Sequence, residues 1–305
     1  MVIDAHMHVW NIIDGCICNE MPVRPLTHGK IQVGDRRLQG MPALLLDCAA
    51  RFECAIAEFD AAGVDAGVVV QDYMDGEQNE YLLREGRHWA DRFFLHGLPN
   101  FWNTDCVLLE SQNLFAQGFR GLKLPAAHLA SKVAIDDKRL MPLWELMERE
   151  GYVLSVDLAA DEQQSRELEN ILSAYPKLKV AIGHFGLPNR GGWPHQLNLG
   201  RHEHVYLEMG GIIWLYRHEG FPFPGALQTI ARAKDAIGCH KLMWGSDFPR
   251  TMVDFTYRQS LDFVRDCDCF SDDEKRLLLG GNARRLYAID APDSERTPWE
   301  LITAL

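Results

Sequence analysis

Short apolar runs alternate with segments of helical period from one end of the chain to the other, the pattern written by repeated βα units whose parallel strands are buried on both faces. The runs predict strands at 2–9, 65–71, 93–98, 119–124, 152–157, 178–184, 204–209 and 241–247. Eight such strands predict a (β/α)8 TIM barrel, an α/β fold in which residues 1–305 make one domain.

The intervening segments carry helix signals of their own. Asp47 can cap a helix that turns Phe52, Ile56 and Phe59 to one side, and Leu140, Leu143, Trp144 and Met147 recur at helical spacing until Gly151. Asp161 opens another, with Leu168, Ile171, Leu172 and Tyr175 inward and Pro176 beyond its end; Ser271 and Glu274 stand at capping-box spacing ahead of Leu277 and Leu278. These stripes read as ordinary core faces. One segment breaks the rhythm: residues 10–46, rich in Gly, Pro and charge, follow the first strand. A connection this long reads as a lid loop over the barrel mouth, with a mobile insertion as the alternative. Pro22, Pro25 and Pro42 preset part of its path, and Trp10, Arg24 and His28 are its candidate substrate contacts. A helical stretch near 254–266 follows the last strand, and residues 291–305 form a C-terminal tail expected to pack outside the barrel.

Composition narrows the function classes. The 43 acidic residues outnumber the 31 basic ones, for a net charge of -12, so a nucleic-acid backbone or an anionic membrane surface is repelled on average and neither is an expected partner. The eight cysteines include two Cys-x-Cys pairs and no Cys-x-x-Cys, which removes zinc-finger and thioredoxin readings and leaves reduced, largely buried thiols. No basic, apolar leader opens the sequence and no run approaches a bilayer's width, so a cytoplasmic location is expected. A local basic pocket for an acidic or polyhydroxylated small molecule remains compatible with the acidic balance, as does a homo-oligomer.

The chemistry gathers at strand ends. Side chains alternate along a strand, so His6 and His8 share one face while Ala5 and Met7 take the other. On its own that pair is as readily two hydrogen-bonded core histidines as a site. His184 ends the run Val180–Ile182, however, and Asp247 ends the last strand after Trp244-Gly245-Ser246. Barrel enzymes collect their catalytic groups where strand C-termini meet, and a buried Asp there needs a partner or a metal. One pocket built from His6, His8, His184 and Asp247 follows.

With Ile3-Asp4-Ala5-His6-Met7-His8, Gly121-Leu122-Lys123-Leu124, Gly183-His184-Phe185-Gly186, Gly245-Ser246-Asp247-Phe248-Pro249 and Gly281-Asn282-Ala283-Arg284-Arg285-Leu286 in order, the chain resembles the amidohydrolase superfamily. The resemblance is to the branch holding sugar-lactone and pyrone-dicarboxylate lactone hydrolases beside decarboxylases and hydratases. It implies His6 and His8 as metal ligands, Asp247 as ligand and general base or acid, and His184 as a catalytic contact to substrate or attacking water. One divalent ion, Zn²⁺ before Mn²⁺, suits imidazole and carboxylate donors. The sequence departs from the family where metal-dependent relatives carry a histidine at the end of the fifth strand: here Val153-Leu154-Ser155-Val156 leads to Asp157, which can supply an oxygen ligand or serve a metal-free site.

Lys123, Arg190 and Arg250 are the candidate substrate-binding cations, with Trp193 and Glu208 weaker, while His96 and His128 read as structural. The expected activity is hydrolysis of a small carboxylic-acid derivative, foremost a sugar-acid lactone or related cyclic ester. Metal-dependent decarboxylation of a hydroxy-acid is the first alternative, and a barrel that only binds a metabolite is the second.

Overall fold

The computed structural model describes residues 1–290, so the predicted tail at 291–305 lies outside the described residues. Eight parallel strands, β1 (Ile3–Met7), β6 (Ala66–Val69), β7 (Phe93–Gly97), β8 (Gly121–Leu124), β9 (Val153–Val156), β10 (Lys179–Ile182), β11 (Val205–Glu208) and β12 (Leu242–Met243), pair in chain order into one sheet, with helices between them. All eight fall within the predicted runs. The sheet curls until its last strand returns to its first: Ala5 N–H donates to Trp244 O at 2.9 Å, Asp247 N–H to His6 O at 2.8 Å and His8 N–H to Phe248 O at 2.8 Å. The chain is a TIM barrel, and its seam passes through the residues singled out for chemistry.

Two layers fill the interior. Ile3, Ala5, Val68, Phe94, Ala181 and Met243 form an apolar lower layer, plugged from below by Leu286 and Tyr287 of the last helix, Asn282–Tyr287. Above it the inward positions become polar. The first strand reaches that change by an irregularity: its pairing with β6 shifts register between Asp4 and Met7. Ala5 therefore packs inside with Ile3, Met7 packs in the outer layer, and His6 and His8 still face the interior. Strict alternation had put Ala5 opposite the histidines; the local bulge accounts for the difference.

The segment after β1 is not coil. Gly15–Ile17 (β2), Met21–Pro25 (β3), Lys30–Val33 (β4) and Arg36–Gln39 (β5) form a four-stranded antiparallel sheet in meander order. Val23, Ile31 and Val33 are buried in it and join the core cluster of the barrel. Helix signals mostly hold: Leu143, Trp144 and Met147 are buried in Met141–Glu150, which stops at Gly151 with φ 73°, and Ser271 with Glu274 forms a full capping box. Asp47 does not cap; the helix Phe52–Ala62 begins after Arg51, and Asp47 instead pairs with Arg51. All eight thiols are free, yet only Cys48 is buried, fewer than the apolar surroundings had suggested. No helix among the described residues is long and apolar enough to cross a membrane.

Candidate active site

His6, on β1, and Glu208, ending β11, meet in the buried centre, where the His6 Nδ1 is hydrogen-bonded to a Glu208 carboxylate oxygen. A carboxylate on Nδ1 fixes the ring and leaves Nε2 aimed at the mouth. That Nε2 faces His8 Nε2 at 3.2 Å, and Asp247 Oδ1 lies 3.1 Å from His8 Nε2 and 3.7 Å from His6 Nε2. Two imidazole nitrogens and one carboxylate oxygen thus converge, at separations close to the ~3.3 Å expected between donors of a tetrahedral ion with bonds near 2.0–2.1 Å. The donor set fits a divalent metal. His8 Nδ1 is buried without a protein hydrogen-bond partner.

Asp247 sits in a left-handed turn, φ 58°, which lifts its carboxylate off the strand and over the seam. Its second oxygen accepts the Trp214 indole N–H at 3.0 Å. The indole reaches it because Gly211 lacks a side chain: with φ 67°, a Cβ there would stand 1.7 Å from Trp214 Nε1. Asp4, outside the barrel wall, accepts the Ser246 N–H at 2.8 Å, the Ser246 hydroxyl and the Tyr257 hydroxyl, so the turn that carries Asp247 is tied to β1. His184, also left-handed at φ 50°, donates from Nδ1 to Gly210 O at 2.9 Å and turns its Nε2 inward, 3.8 Å from Asp157 Oδ2. Asp157 is held from below by the wholly buried Lys123, whose ammonium donates to its Oδ1 at 2.7 Å and to Ser155 Oγ at 3.2 Å. Gly183 makes the room, since a Cβ there would stand 1.9 Å from Asp157 Oδ1.

The electrostatics follow from burial and crowding. Burial pushes Glu208 up to about 8, against the pull of Lys123 and His184, and holds His6 well below the ordinary imidazole value. Burial alone would raise Asp247, yet the His8 hydrogen bond and the His184 charge bring it below the usual carboxylate value. Burial would likewise lower His184, but Asp157, Asp247 and Glu208 around it win and raise it. His96 lies deeper, its ring on Val69 O at 3.1 Å and burial pressing it down to about 3, a neutral core histidine.

Above these groups opens a cavity of about 400 Å³ whose lining includes His8, His184, Trp214, Asp247, Arg217 and Arg250. One wall is the small sheet, through Ile31, Leu38 and Gln39. The lid candidates differ from those expected: Arg24 pairs with Asp14 in solvent, His28 is exposed, and Trp10 is buried beneath the Arg250 guanidinium, its centroid 5.3 Å away. Of the three cationic candidates only Arg250 lines the cavity, itself bound to Asp75 and Gly40 O; Lys123 lies below, and Arg190 and Trp193 are outside the lining, Arg190 exposed. His128 stands at the rim, 3.2 Å from Asp72, and accepts the Cys18 N–H, joining the small sheet to the mouth. Sequence reasoning missed Trp214, Arg217 and Asp72. Only the glycine pair 210–211 after the seventh strand hinted at the Trp214 approach.

A family model described as Amidohydrolase matches residues 3–289. No curated protein sequence matches the chain. Among solved structures, the probable 2-pyrone-4,6-dicarboxylic acid hydrolase of Acinetobacter baumannii, with citric acid bound, is similar at 20% identity and TM-score 0.70, over 94% of this chain and 99% of that one. An amidohydrolase from Burkholderia multivorans with bound zinc matches at 18% identity and TM-score 0.68, covering 94% and 99%. The 2,6-dihydroxybenzoate decarboxylase from Rhizobium matches at 15% identity and TM-score 0.61, covering 83% and 91%.

Proposed function

The chain belongs to the amidohydrolase family and is an enzyme of that type, and from this premise we propose that it hydrolyses a small carboxylic-acid derivative, foremost a sugar-acid lactone or related cyclic ester. The observation that carries the reading is the Asp247 carboxylate, one oxygen beside His6 and His8, the other fixed by Trp214, at the floor of a cavity sized for a small molecule. His6, His8 and Asp247 would hold one divalent ion, zinc before manganese, and Asp157, which lies within reach of His6 on the Glu208 side, is the fourth donor of this reading. When bound, such an ion lowers the pKa of its water to about 7 and polarises a carbonyl.

The protein's own groups do the rest. Asp247 accepts the proton of the attacking water and returns it to the leaving ring oxygen, and the Trp214 N–H keeps the carboxylate from rotating between the two transfers. His184, its Nδ1 anchored on Gly210 O and its charge favoured by surrounding carboxylates, offers Nε2–H to the developing oxyanion. Glu208 orients His6. Lys123 neutralises Asp157 from beneath, so that carboxylate can stand in a buried place. Arg217 and Arg250 on the wall suit an acidic substrate, in keeping with the citric acid bound to the Acinetobacter baumannii protein and the dihydroxybenzoate named for the Rhizobium decarboxylase.

The same residues would serve decarboxylation of a hydroxy-acid, with Asp247 handing its proton to carbon, and the decarboxylase of like fold keeps that reading in view. Acid release from a panel of lactones, followed with a pH indicator, is expected to show turnover. Ultraviolet loss on hydroxybenzoates with no lactone turnover would replace hydrolysis by decarboxylation, and binding without turnover of either, at any divalent metal, would leave only a metabolite-binding barrel.

A further inference from the structure

At the barrel end opposite the mouth, a second cavity of about 500 Å³ is lined by Lys179 at the start of β10, Arg201 and Glu203 before β11, Lys241 before β12, and Arg285 on the helix Asn282–Tyr287. Four cations from four separate segments of the chain converge there against one carboxylate, in a chain whose net charge is -12. Lys179, Arg201 and Arg285 form no ion pair among the described residues. Lys241 is fixed as the floor: its ammonium donates to the carbonyl oxygens of His202 at 2.7 Å and Glu203 at 2.6 Å, and lies 5.2 Å from the Tyr206 ring centroid.

Like charges brought together around one concavity, with Lys241 buried at its floor and Arg201 and Arg285 exposed at its rim, repel one another, and among the lining residues only Glu203 carries an opposing charge. Burial, helped by Arg285 and opposed by Glu203, already presses the Lys241 ammonium below the ordinary lysine value. A multivalent anion relieves that repulsion in proportion to its charge. A monovalent ion gains far less, and the acidic remainder of the surface holds no general attraction for anions. The volume is in the range that takes a small molecule.

We propose that this cavity is a binding site for a small polyanion bearing clustered phosphates, separate from the substrate cavity at the mouth. Lys179 starts β10 and Arg285 stands on the helix Asn282–Tyr287, while Arg201 and Lys241 sit in the short turns that lead into β11 and β12, so the position is tied to the base of the barrel. Recognition rests on charge number and on the fork of Arg285 and Arg201, each able to take two phosphate oxygens.

The test is calorimetric titration of the full chain with inorganic pyrophosphate at low ionic strength. One-to-one binding is expected, weakening by about tenfold or more in Lys179→Ala/Arg285→Ala, falling with added salt, and unchanged in Arg217→Ala at the mouth. Citrate, with softer and more dispersed charge, is expected to bind more weakly than pyrophosphate. Any pyrophosphate taken up at the mouth is common to wild type and the double variant, so the difference between those two reads this site. Circular dichroism verifies that the double variant folds, and Arg201→Gln, a single exposed change, gives an independent loss. No binding of pyrophosphate, equal binding by wild type and the double variant, or loss on Arg217→Ala instead would overturn the proposal.

Discussion

Lys123→Met tests whether the charge beneath the site holds its carboxylate in place. The ammonium is wholly buried, 2.7 Å from Asp157 Oδ1 and 3.2 Å from Ser155 Oγ, and methionine keeps its length without its charge. Removing one partner of a buried pair costs about 3–5 kcal/mol, because the remaining charge is left unpaired. The Asp157 side chain is 13% exposed, so solvent screens part of that and the lower end, about 3 kcal/mol, applies. With an unfolding entropy of about 2.1 cal/mol/K per residue, a chain of 305 residues loses about 5 °C of Tm for that change. Scanning calorimetry in chelator, which removes any contribution of a bound ion, is the assay. Adding Asp157→Asn to Lys123→Met removes the stranded charge and should recover most of the loss. A fall below about 1 °C in the single variant, or no recovery in the double, would refute the pairing argument.

Glu208 gives a pH signature: its proton leaves near 8 when folded but near 4.5 when unfolded, so the folded state binds more protons between these values and stability falls as pH rises through that window. Chelator-treated protein should therefore lose Tm from pH 5 to 8, and Glu208→Gln should flatten the slope; a parallel slope in both would contradict the raised Glu208 value. Asp157→Ala should lower metal content and activity together while Asp157→His keeps the metal, as read by elemental analysis, and full activity of metal-free wild type in chelator would assign Asp157 to substrate instead. Leu38→Asp on the small-sheet wall should raise KM several-fold with kcat little changed, and unaltered kinetics would remove that sheet from the substrate cavity.

The barrel was legible because buried parallel strands leave unbroken apolar runs, and the ends of those runs carried His184 and Asp247 to the mouth, with Asp157 beside His184. Periodicity could not show the bulge between Asp4 and Met7, since a register shift leaves no mark in composition. It also hid the small sheet, whose strands of three to five residues alternate too briefly to rise above the Gly and Pro around them. Glu208 read as a weak candidate because its role depends on a partner 202 positions away. Trp214 and Arg217 reach the cavity from the short helix Ile212–Leu215 and the turn after it, entered through Gly211 in a left-handed conformation, and no local pattern names what so short an element will present. Lys123 and Arg190 look alike in sequence; only the strand register of one and the exposed loop of the other separate them.

The central claim is that Asp247 moves the proton, and Asp247→Asn examines it most directly. The amide keeps the shape that accepts the Trp214 N–H and cannot take a proton from water. Turnover of the best lactone should fall by about 10² to 10⁴-fold with the circular dichroism spectrum unchanged. A variant with the wild-type spectrum that keeps more than about a tenth of the activity would contradict the account.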